Sequence, residues 1–313
     1  MKLYNSDESD EANIFNAIKN KNVEKVNLVL EISNKIKKIL NINEKNNEGY
    51  YPLNRAIFYN NVKIVKLLIE YANRHQIVLE LNEKESTGDY PLYCAIYRNN
   101  IEIVKLLIEY ANQHQIILEL NEKNEYGNYP LYWVTSKNNI EMLKILIKYS
   151  NQQQIILELN AKNKYGNYPL YQAISNNNVE MLKLLIEYTN QHQVILNLNG
   201  KKYDGDYNSL LKAISVNNNE IVKLLIEYAN QHQIFLDLNT KNKNGDYPLL
   251  EAINNNNIII VKLLVEYANQ HQIILEYDKN YIEINSEINE LLQNYEIGKE
   301  KWTKVIKILY NII

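Results

Sequence analysis

The sequence predicts an all-α protein built from a repeated pair of helices. A single phrase returns along most of the chain, and each copy holds two apolar stretches with helical spacing. Polar turns separate these stretches. A fixed period of this length is typical of repeat architectures, in which neighbouring units bury each other's apolar faces. Six glycines mark the period, at steps of 39, 39, 39, 39 and 40 residues: Gly49, Gly88, Gly127, Gly166, Gly205 and Gly245.

Each copy opens with a short helix and continues with a longer one. In the copy that begins at Gly88, Pro91 suits the first position of a helix because that position needs no N–H donor. The Asn99-Asn100 pair follows and indicates a turn. Residues 101–111 then place apolar side chains three and four positions apart, as in an amphipathic helix. We expect this longer helix to run antiparallel to the first.

Three further features of the repeat complete the prediction. Residues 115–121 either prolong the second helix or cross as an extended segment. The polar stretch 121–127 ends in Gly and predicts a hairpin-like loop. We expect the side chain directly after the repeated Gly to cap each first helix. These side chains are Asp89, Asn128, Asn167, Asp206 and Asp246.

The repeated phrase resembles the ankyrin repeat, and the resemblance covers residues 12 to about 278. The Gly-x-x-Pro-Leu phrase, the Ala, the Leu-Leu pair and the final Asn fall in step with that family's pattern. The family's period is about 33 residues, so each copy here carries about six more. The family's Thr and His are replaced by tyrosine in several copies, as at Tyr90 and Tyr93. The resemblance implies an elongated solenoid of stacked helix pairs.

The ends of the chain depart from the repeat. Residues 1–45 lack the Gly-x-x-Pro phrase and predict an N-terminal capping repeat, whereas residues 46–278 hold six repeats. Residues 279–313 predict a C-terminal helical cap of two helices, because a terminal unit must shield an apolar face from water. A second interpretation makes Trp302 and its neighbouring lysines a basic amphipathic helix for a membrane surface or a partner. Those lysines are Lys299, Lys301, Lys304 and Lys307.

Composition excludes several functional classes. One Cys excludes a disulfide scaffold, and a net charge of −3 gives no basic face for nucleic acid. No apolar run reaches the ~20 residues of a membrane-spanning helix. The acidic start lacks the apolar core of a signal peptide, so we expect an intracellular protein, in the cytoplasm or the nucleus. We expect a monomer.

No catalytic constellation is present, and we expect neither a cofactor nor a metal. Five histidines occupy one slot of successive repeats: His75, His114, His192, His232 and His271. Stacked helices lie 8–10 Å apart, too far for neighbouring histidines to share a zinc ion, so these side chains are expected to pack at helix C-termini. Cys94 is a lone thiol in a slot that holds Arg, Trp or Gln elsewhere, and we do not expect a nucleophile.

The positions that differ between copies predict a binding surface. Three columns lie at i, i+3 and i+4 of the first helices and so share one face. The early repeats fill them with residue types that dominate binding energies, whereas the later repeats carry mostly Ser and Asn. We predict a site for a protein or peptide, with an acidic element facing its cations. The residues are Arg55, Phe58, Tyr59, Tyr97, Arg98, Trp133 and Lys137.

The sequence therefore favours a non-catalytic interaction scaffold or adaptor that holds its partner on the concave face, as the resemblance implies. Two alternatives stay open. One is a structural spacer without a dedicated partner, in which the variable columns merely cover the helices. The other is an enzyme whose site lies in the extra segments or in the C-terminal helices.

Overall fold

A computed structural model describes residues 10–200, 208–276 and 285–296 of the protein. These residues form helices and connecting segments without strands, which confirms the all-α prediction. Residues 286–296 are helical and are called α15. The other helices are α1 (Asp10–Lys19), α2 (Val23–Lys35), α3 (Pro52–Phe58), α4 (Val62–His75), α5 (Pro91–Tyr97), α6 (Ile101–Gln113), α7 (Pro130–Ser136), α8 (Ile140–Gln153), α9 (Pro169–Ser175), α10 (Val179–His192), α11 (Ser209–Ser215), α12 (Asn219–Gln231), α13 (Pro248–Asn254) and α14 (Ile258–Gln270).

The chain divides into two compact units, Met1–Lys164 and Tyr165–Ile313. In the first unit the short helices α3, α5 and α7 stack on one another and on α1, and the long helices α4, α6 and α8 stack beside α2. In the second unit α9, α11 and α13 form one row, and α10, α12 and α14 form the other. Each unit is therefore a stack of antiparallel helix pairs.

Apolar side chains of the long helices make up much of each core. Leu68 and Leu107 in the first unit, and Leu225 and Leu264 in the second, are fully buried. Full burial of such a side chain contributes about 1.5–3 kcal/mol. Ordering costs about 1–2 kcal/mol for every residue, whereas only the buried side chains contribute a gain. A single helix pair buries too few of them, so it does not fold without its neighbours.

The first helices begin as the sequence predicts, with proline at their first position, but their caps differ from the prediction. Tyr90 precedes α5 in extended conformation and makes no capping bond with its side chain. Oδ1 of Asp89 instead accepts from Nδ2 of Asn124, and Oδ1 of Asn128 accepts from Nδ2 of Asn163. The capping prediction for these two residues is wrong because both side chains reach the next repeat.

Asp246 is likewise no cap, since its Oδ2 accepts from Nδ2 of Asn242. Asp206 lies outside the described residues. The fifth copy, which lacks the proline, has a true cap that the prediction missed. Oδ1 of Asn208 accepts from the backbone N–H of Leu211 and so satisfies the start of α11.

Two consecutive asparagines build the turn between the helices of a pair. Asn99 adopts the left-handed conformation with φ of 56°, which asparagine tolerates better than most residues. Asn100 caps α6 by accepting from the backbone N–H of Ile103. Its Nδ2 also donates to Oδ1 of Asn60 in the preceding repeat, at 2.6 Å. The asparagine pair thus ends one helix, starts the next and links neighbouring repeats.

The extra residues of each copy form an extended segment. Gln115 turns the chain after α6 with φ of 58°, and residues 116–119 carry no regular helix. Leu118 and Leu120 are buried, whereas Ile117, before them, and Glu119, between them, are exposed. This alternation is that of a half-buried strand-like segment. The sequence is compatible with either a longer helix or an extended segment, and the structure shows the extended segment.

Each extended segment is bonded to both neighbouring repeats. The hydroxyl of Tyr110 in α6 accepts from the backbone N–H of Leu79 and donates to the carbonyl of Ile77. In the other direction, Nδ2 of Asn82 donates to the carbonyl of Ile117, and its Oδ1 accepts from the N–H of Glu119. These bonds supply the partners that the extended backbone lacks within its own repeat.

The hairpin-like loops depend on glycine. Gly88 has φ of +78°, and a Cβ atom there would lie 3.1 Å from Cα of Asn124 in the next loop. A larger residue therefore meets both a strained backbone and a neighbouring main chain. The loops close tightly, since the N–H of Gly88 donates to the carbonyl of Glu85 and the N–H of Glu85 to the carbonyl of Asp89.

Replacement of Asn82 by alanine tests the bonds between extended segments. We expect Asn82→Ala to lower the free energy of unfolding by about 1–2 kcal/mol, because two backbone groups of the next segment lose their partner. Asn47→Ala is the matched control, since Asn47 is exposed on a hairpin loop and its side chain makes no bond to any described residue. Urea denaturation followed by circular dichroism measures both. Equal stability of the two variants would contradict the structural role of Asn82.

Candidate functional site

The seven residues predicted to bind a partner all lie in the first unit, on or directly after α3, α5 and α7. Tyr97 and Lys137 are exposed, and the other five are partly exposed. Aromatic rings and cationic groups alternate along this face, so we call the seven residues the cation–aromatic column. Its members are Arg55, Phe58, Tyr59, Tyr97, Arg98, Trp133 and Lys137.

Arg98 joins two repeats of the column. Its guanidinium carbon lies 4.1 Å from the ring centroid of Phe58 in the preceding repeat and 5.3 Å from that of Tyr97. Cations over aromatic faces gain about 0.5–2 kcal/mol, with the larger values at desolvated sites. Nε of Arg98 is buried and has no hydrogen-bond partner among the described residues. The stacking therefore fixes the guanidinium group while its hydrogen-bonding capacity stays partly unused.

Trp133 is held in one orientation from three sides. Its Nε1–H donates to the hydroxyl of Tyr93 at 2.8 Å, and its ring meets that of Tyr97 edge-on at 4.8 Å. The ring of Tyr132 contacts it at 5.2 Å. Nζ of Lys137 lies 5.3 Å from the centroids of both Trp133 and Tyr97. The indole is therefore preorganised, and part of its surface is open to solvent.

Tyr93 is the buried residue that positions Trp133. Its hydroxyl accepts from Trp133 and also from Nδ2 of Asn124 at 2.8 Å. Burial raises its pKa well above the usual range, so the hydroxyl stays protonated. Sequence reasoning noted Tyr93 only as a departure from the family's His. Tyr93 lies one helical turn before Tyr97, and this position next to the variable columns could have marked it as a residue that supports the site.

Arg55 carries an internal ion pair that the sequence did not reveal. Its Nη2 lies 2.6 Å from Oε2 of the buried Glu85, on the next hairpin loop. The guanidinium group also stacks on the rings of Tyr50 at 3.7 Å and Phe58 at 4.6 Å. Glu85 occupies a slot that holds Asn46, Asn124 and Asn163 in neighbouring repeats. The charge of Arg55 is thus compensated within the protein.

The remaining cations of the column have no such compensation. Within the described part of the chain, neither Arg98 nor Lys137 forms an ion pair. Tyr59 lies at the edge of the column, with its ring 5.5 Å from that of Phe58. Tyr59 and Arg55 also line a groove of about 410 Å³ between α1 and the first hairpin loop. The column can therefore offer aromatic surface, two cations and an adjoining groove.

The histidine row packs at the ends of the long helices, as the sequence predicts. The ring of His114 stacks on Tyr110 with centroids 4.1 Å apart, and its Nε2 lies 3.0 Å from Oδ1 of Asn73. His271 makes the equivalent contacts with Tyr267 and Asn230. Across residues 10–200, 208–276 and 285–296, no group of three metal-ligating side chains converges. Cys94 is buried, and burial raises the pKa of its thiol, which favours the protonated form over the thiolate.

A protein-family model described as ankyrin repeats in three copies matches residues 14–116, 72–155, 112–194 and 153–236. The chain belongs to the ankyrin repeat family. Ankyrin repeats generally mediate protein–protein interaction, and their partners are proteins. No curated protein sequence matches the chain.

Solved ankyrin repeat structures share the fold. The ankyrin repeat domain of Bcl-3, a member of the IkappaB protein family, is 19% identical with a TM-score of 0.55, covering 80% of this chain and 97% of that one. An ankyrin repeat domain from Acinetobacter baumannii is 23% identical with a TM-score of 0.53, covering 70% of this chain and 98% of that one. Of the helices described, none has the length and apolarity that crossing a membrane demands.

Removal of Arg55 tests the internal ion pair. We expect Arg55→Ala to destabilise the protein by about 3 kcal/mol, because it leaves the buried carboxylate of Glu85 unpaired. The double variant Arg55→Ala/Glu85→Asn restores the residue that other repeats carry in this slot, and we expect it to recover most of the loss. Urea denaturation of the two variants gives the comparison. A double variant no more stable than Arg55→Ala would contradict the pairing.

The acidity of Glu85 gives a second test. Burial raises its pKa above 4.5, and the nearby Arg55 opposes this without cancelling it. The native state therefore keeps this proton at pH values where the unfolded state has lost it, so the contribution of Glu85 to stability falls as pH rises above 4.5. We expect the wild type to gain stability relative to Glu85→Gln as pH is lowered from 7 toward 4.5. A stability difference independent of pH would contradict the raised pKa.

Proposed function

We propose that the protein is a non-catalytic interaction scaffold or adaptor, and that its cation–aromatic column binds a protein or peptide. The observation that supports this most is the contrast between the two units at the same positions. In two of the three columns the first unit carries Phe58, Tyr97 and Ser136, and Tyr59, Arg98 and Lys137, whereas the second unit carries Ser175, Ser215 and Asn254, and Asn176, Val216 and Asn255. In the remaining column Arg55, Cys94 and Trp133 of the first unit correspond to Gln172, Lys212 and Glu251 of the second. Both units stack their helices alike, so stacking does not require the aromatic residues.

The column has the features of a binding hot spot. Trp, Tyr and Arg supply most of the binding energy in measured interfaces. Trp133 is already held by Tyr93 and Tyr97, and Arg98 is stacked between two rings. Side chains that are fixed before binding lose little entropy when a partner arrives. The arrangement therefore favours tight binding on a small surface.

The charges of the column define the partner's chemistry. Arg98 and Lys137 lack acidic partners among the described residues, so an acidic group of the bound segment meets these two cations. Arg55 contributes mainly its stacked surface, because Glu85 already neutralises it. From the sequence we expect an acidic element that faces Arg55, Arg98 and Lys137. We now propose that it faces only Arg98 and Lys137.

We propose that the two ends of the chain cap the stack of repeats. Residues 1–45 form an N-terminal capping repeat through α1 and α2, residues 46–278 hold the six repeats, and residues 279–313 form a C-terminal helical cap. In support, α1 and α2 cover α3 and α4, and Tyr295 of α15 bonds to Leu275 of the last extended segment. Trp302 and Lys299, Lys301, Lys304 and Lys307 lie outside the described residues. We further propose a monomer that acts inside the cell, in the cytoplasm or the nucleus, and binds no nucleic acid.

The test begins with capture of the partner through a photo-crosslinking residue at Tyr97 in cells that make the protein. We then expect Trp133→Ala and Arg98→Ala each to weaken binding of the purified partner about 30-fold, as for hot-spot residues that contribute about 2 kcal/mol. Tyr93→Phe keeps the ring but removes the acceptor of the indole N–H, so we expect a smaller loss. Isothermal titration calorimetry measures all three.

Gln172→Ala is the matched control, because Gln172 occupies the same column position in the next repeat without an aromatic ring. It should bind as the wild type does. Circular dichroism shows that the variants keep their fold. If Trp133→Ala and Arg98→Ala both bind the partner with unchanged affinity, the column is not the site.

A further inference from the structure

A second row of side chains in the first unit is exposed although it is apolar. One residue of each extended segment points into solvent at the same position of successive repeats, with exposed fractions of 59%, 54%, 57% and 52%. Single exposed apolar residues are common on protein surfaces, but a regular series of them is not. We call this series the apolar row: Ile39, Val78, Ile117 and Ile156.

Packing of the core does not account for the row. The next residue of each segment, such as Leu79 or Leu118, supplies the buried contact. The slot of the row is apolar in every copy, since Ile195, Phe235 and Ile274 occupy it in the second unit. The following outward position is instead polar in all of them. In every copy, therefore, the first outward position of the segment is apolar and the second is polar.

The backbone beneath the row is held rigidly. The carbonyls of Val78, Ile117 and Ile156 accept hydrogen bonds from asparagine side chains of the preceding repeats at 2.6, 2.7 and 2.8 Å. The N–H groups of the adjacent leucines are bonded to tyrosine hydroxyls. A partner that contacts these apolar side chains meets a preformed surface and orders little of it on binding.

Acidic side chains flank the row. Glu80 and Glu119 follow Val78 and Ile117 by two residues and are exposed on the same side. Neither forms an ion pair in the described part of the chain. Glu158, at the equivalent position, pairs with Lys123 at 3.3 Å. The row is thus bordered by two uncompensated negative charges, which complement a basic partner.

The spacing of the row selects the partner's conformation. Packed helices of neighbouring repeats lie about 8–10 Å apart. An α-helix rises 1.5 Å per residue, so two turns, or about seven residues, return to the same face after about 10.5 Å, near the upper end of that spacing. A partner helix with an apolar residue at every seventh position therefore meets successive members of the row from one face.

We propose that the apolar row binds an amphipathic helix of another protein, with apolar residues at heptad spacing and lysine or arginine beside them. This surface uses the extended segments and shares no residue with the cation–aromatic column. It is independent of the function proposed for that column. Each interaction stands if the other is absent.

The probe is a 25-residue model helix with leucine at every seventh position, lysines flanking each leucine and alanine elsewhere. The control probe has the same composition in scrambled order. We expect the heptad peptide to bind the full chain at least tenfold more tightly than the scrambled one, measured by fluorescence anisotropy. Equal binding of the two peptides, or no binding of the heptad peptide, overturns the proposal.

Two variants then locate the contact. Val78→Thr/Ile117→Thr keeps β-branched side chains, which favour extended backbone, but removes apolar surface. We expect this variant to bind the heptad peptide at least tenfold more weakly than the wild type does. Glu80→Gln/Glu119→Gln alters only exposed groups, and we expect about fivefold weaker binding with a shallower dependence on salt. If both variants fold, as circular dichroism reports, and bind like the wild type, the row has no docking role.

Discussion

The registration of neighbouring repeats is the constraint on which the rest of the structure depends. Burial of apolar side chains stabilises the packing of helix pairs but is not directional. The hydrogen bonds between repeats have a defined geometry and therefore allow only one register. Tyr110 and Asn82 bond to backbone groups that lie 31 to 37 residues away in sequence. Because the N–H of Leu79 that bonds to Tyr110 is buried, a slip by one residue leaves it without a partner.

The binding surface follows from that register. Arg98 meets Phe58, and Trp133 meets Tyr93, across the boundary between repeats. None of these contacts exists within one helix pair. Successive first helices present their variable positions in line, so the column is a property of stacked repeats. Changes at a few exposed positions therefore create a site without disturbing the framework, which is how one fold serves many partners.

Much of the fold is readable from the sequence because it depends on local patterns. Proline at position 91 marks the start of a helix, and Asn99-Asn100 marks a turn, since each preference belongs to the residue itself. The position of His114 after an amphipathic stretch likewise predicts a helix C-terminus, where a partial positive charge is favoured. The i, i+3 and i+4 spacing of the variable columns also indicates a shared face, and the structure brings those side chains together in the first unit.

What sequence reasoning missed depends on contacts between distant residues. Asp89 has the right place for a helix cap, yet Asn124 of the next repeat takes its oxygen. The segment after Gln115 has no periodicity that separates helix from strand, and Tyr149 and Asn82 decide it by bonding to its backbone. Arg55 has the sequence appearance of a free cation, but Glu85 neutralises it from 30 residues away.

Amide hydrogen exchange in the variant Tyr110→Phe tests the registration most directly. The hydroxyl of Tyr110 accepts from the N–H of Leu79, whereas the N–H of Leu118 depends on Tyr149. We expect exchange to accelerate at Leu79 and to stay unchanged at Leu118. Unaltered exchange at Leu79, or equal acceleration at both amides, would contradict a register held by these hydroxyl groups.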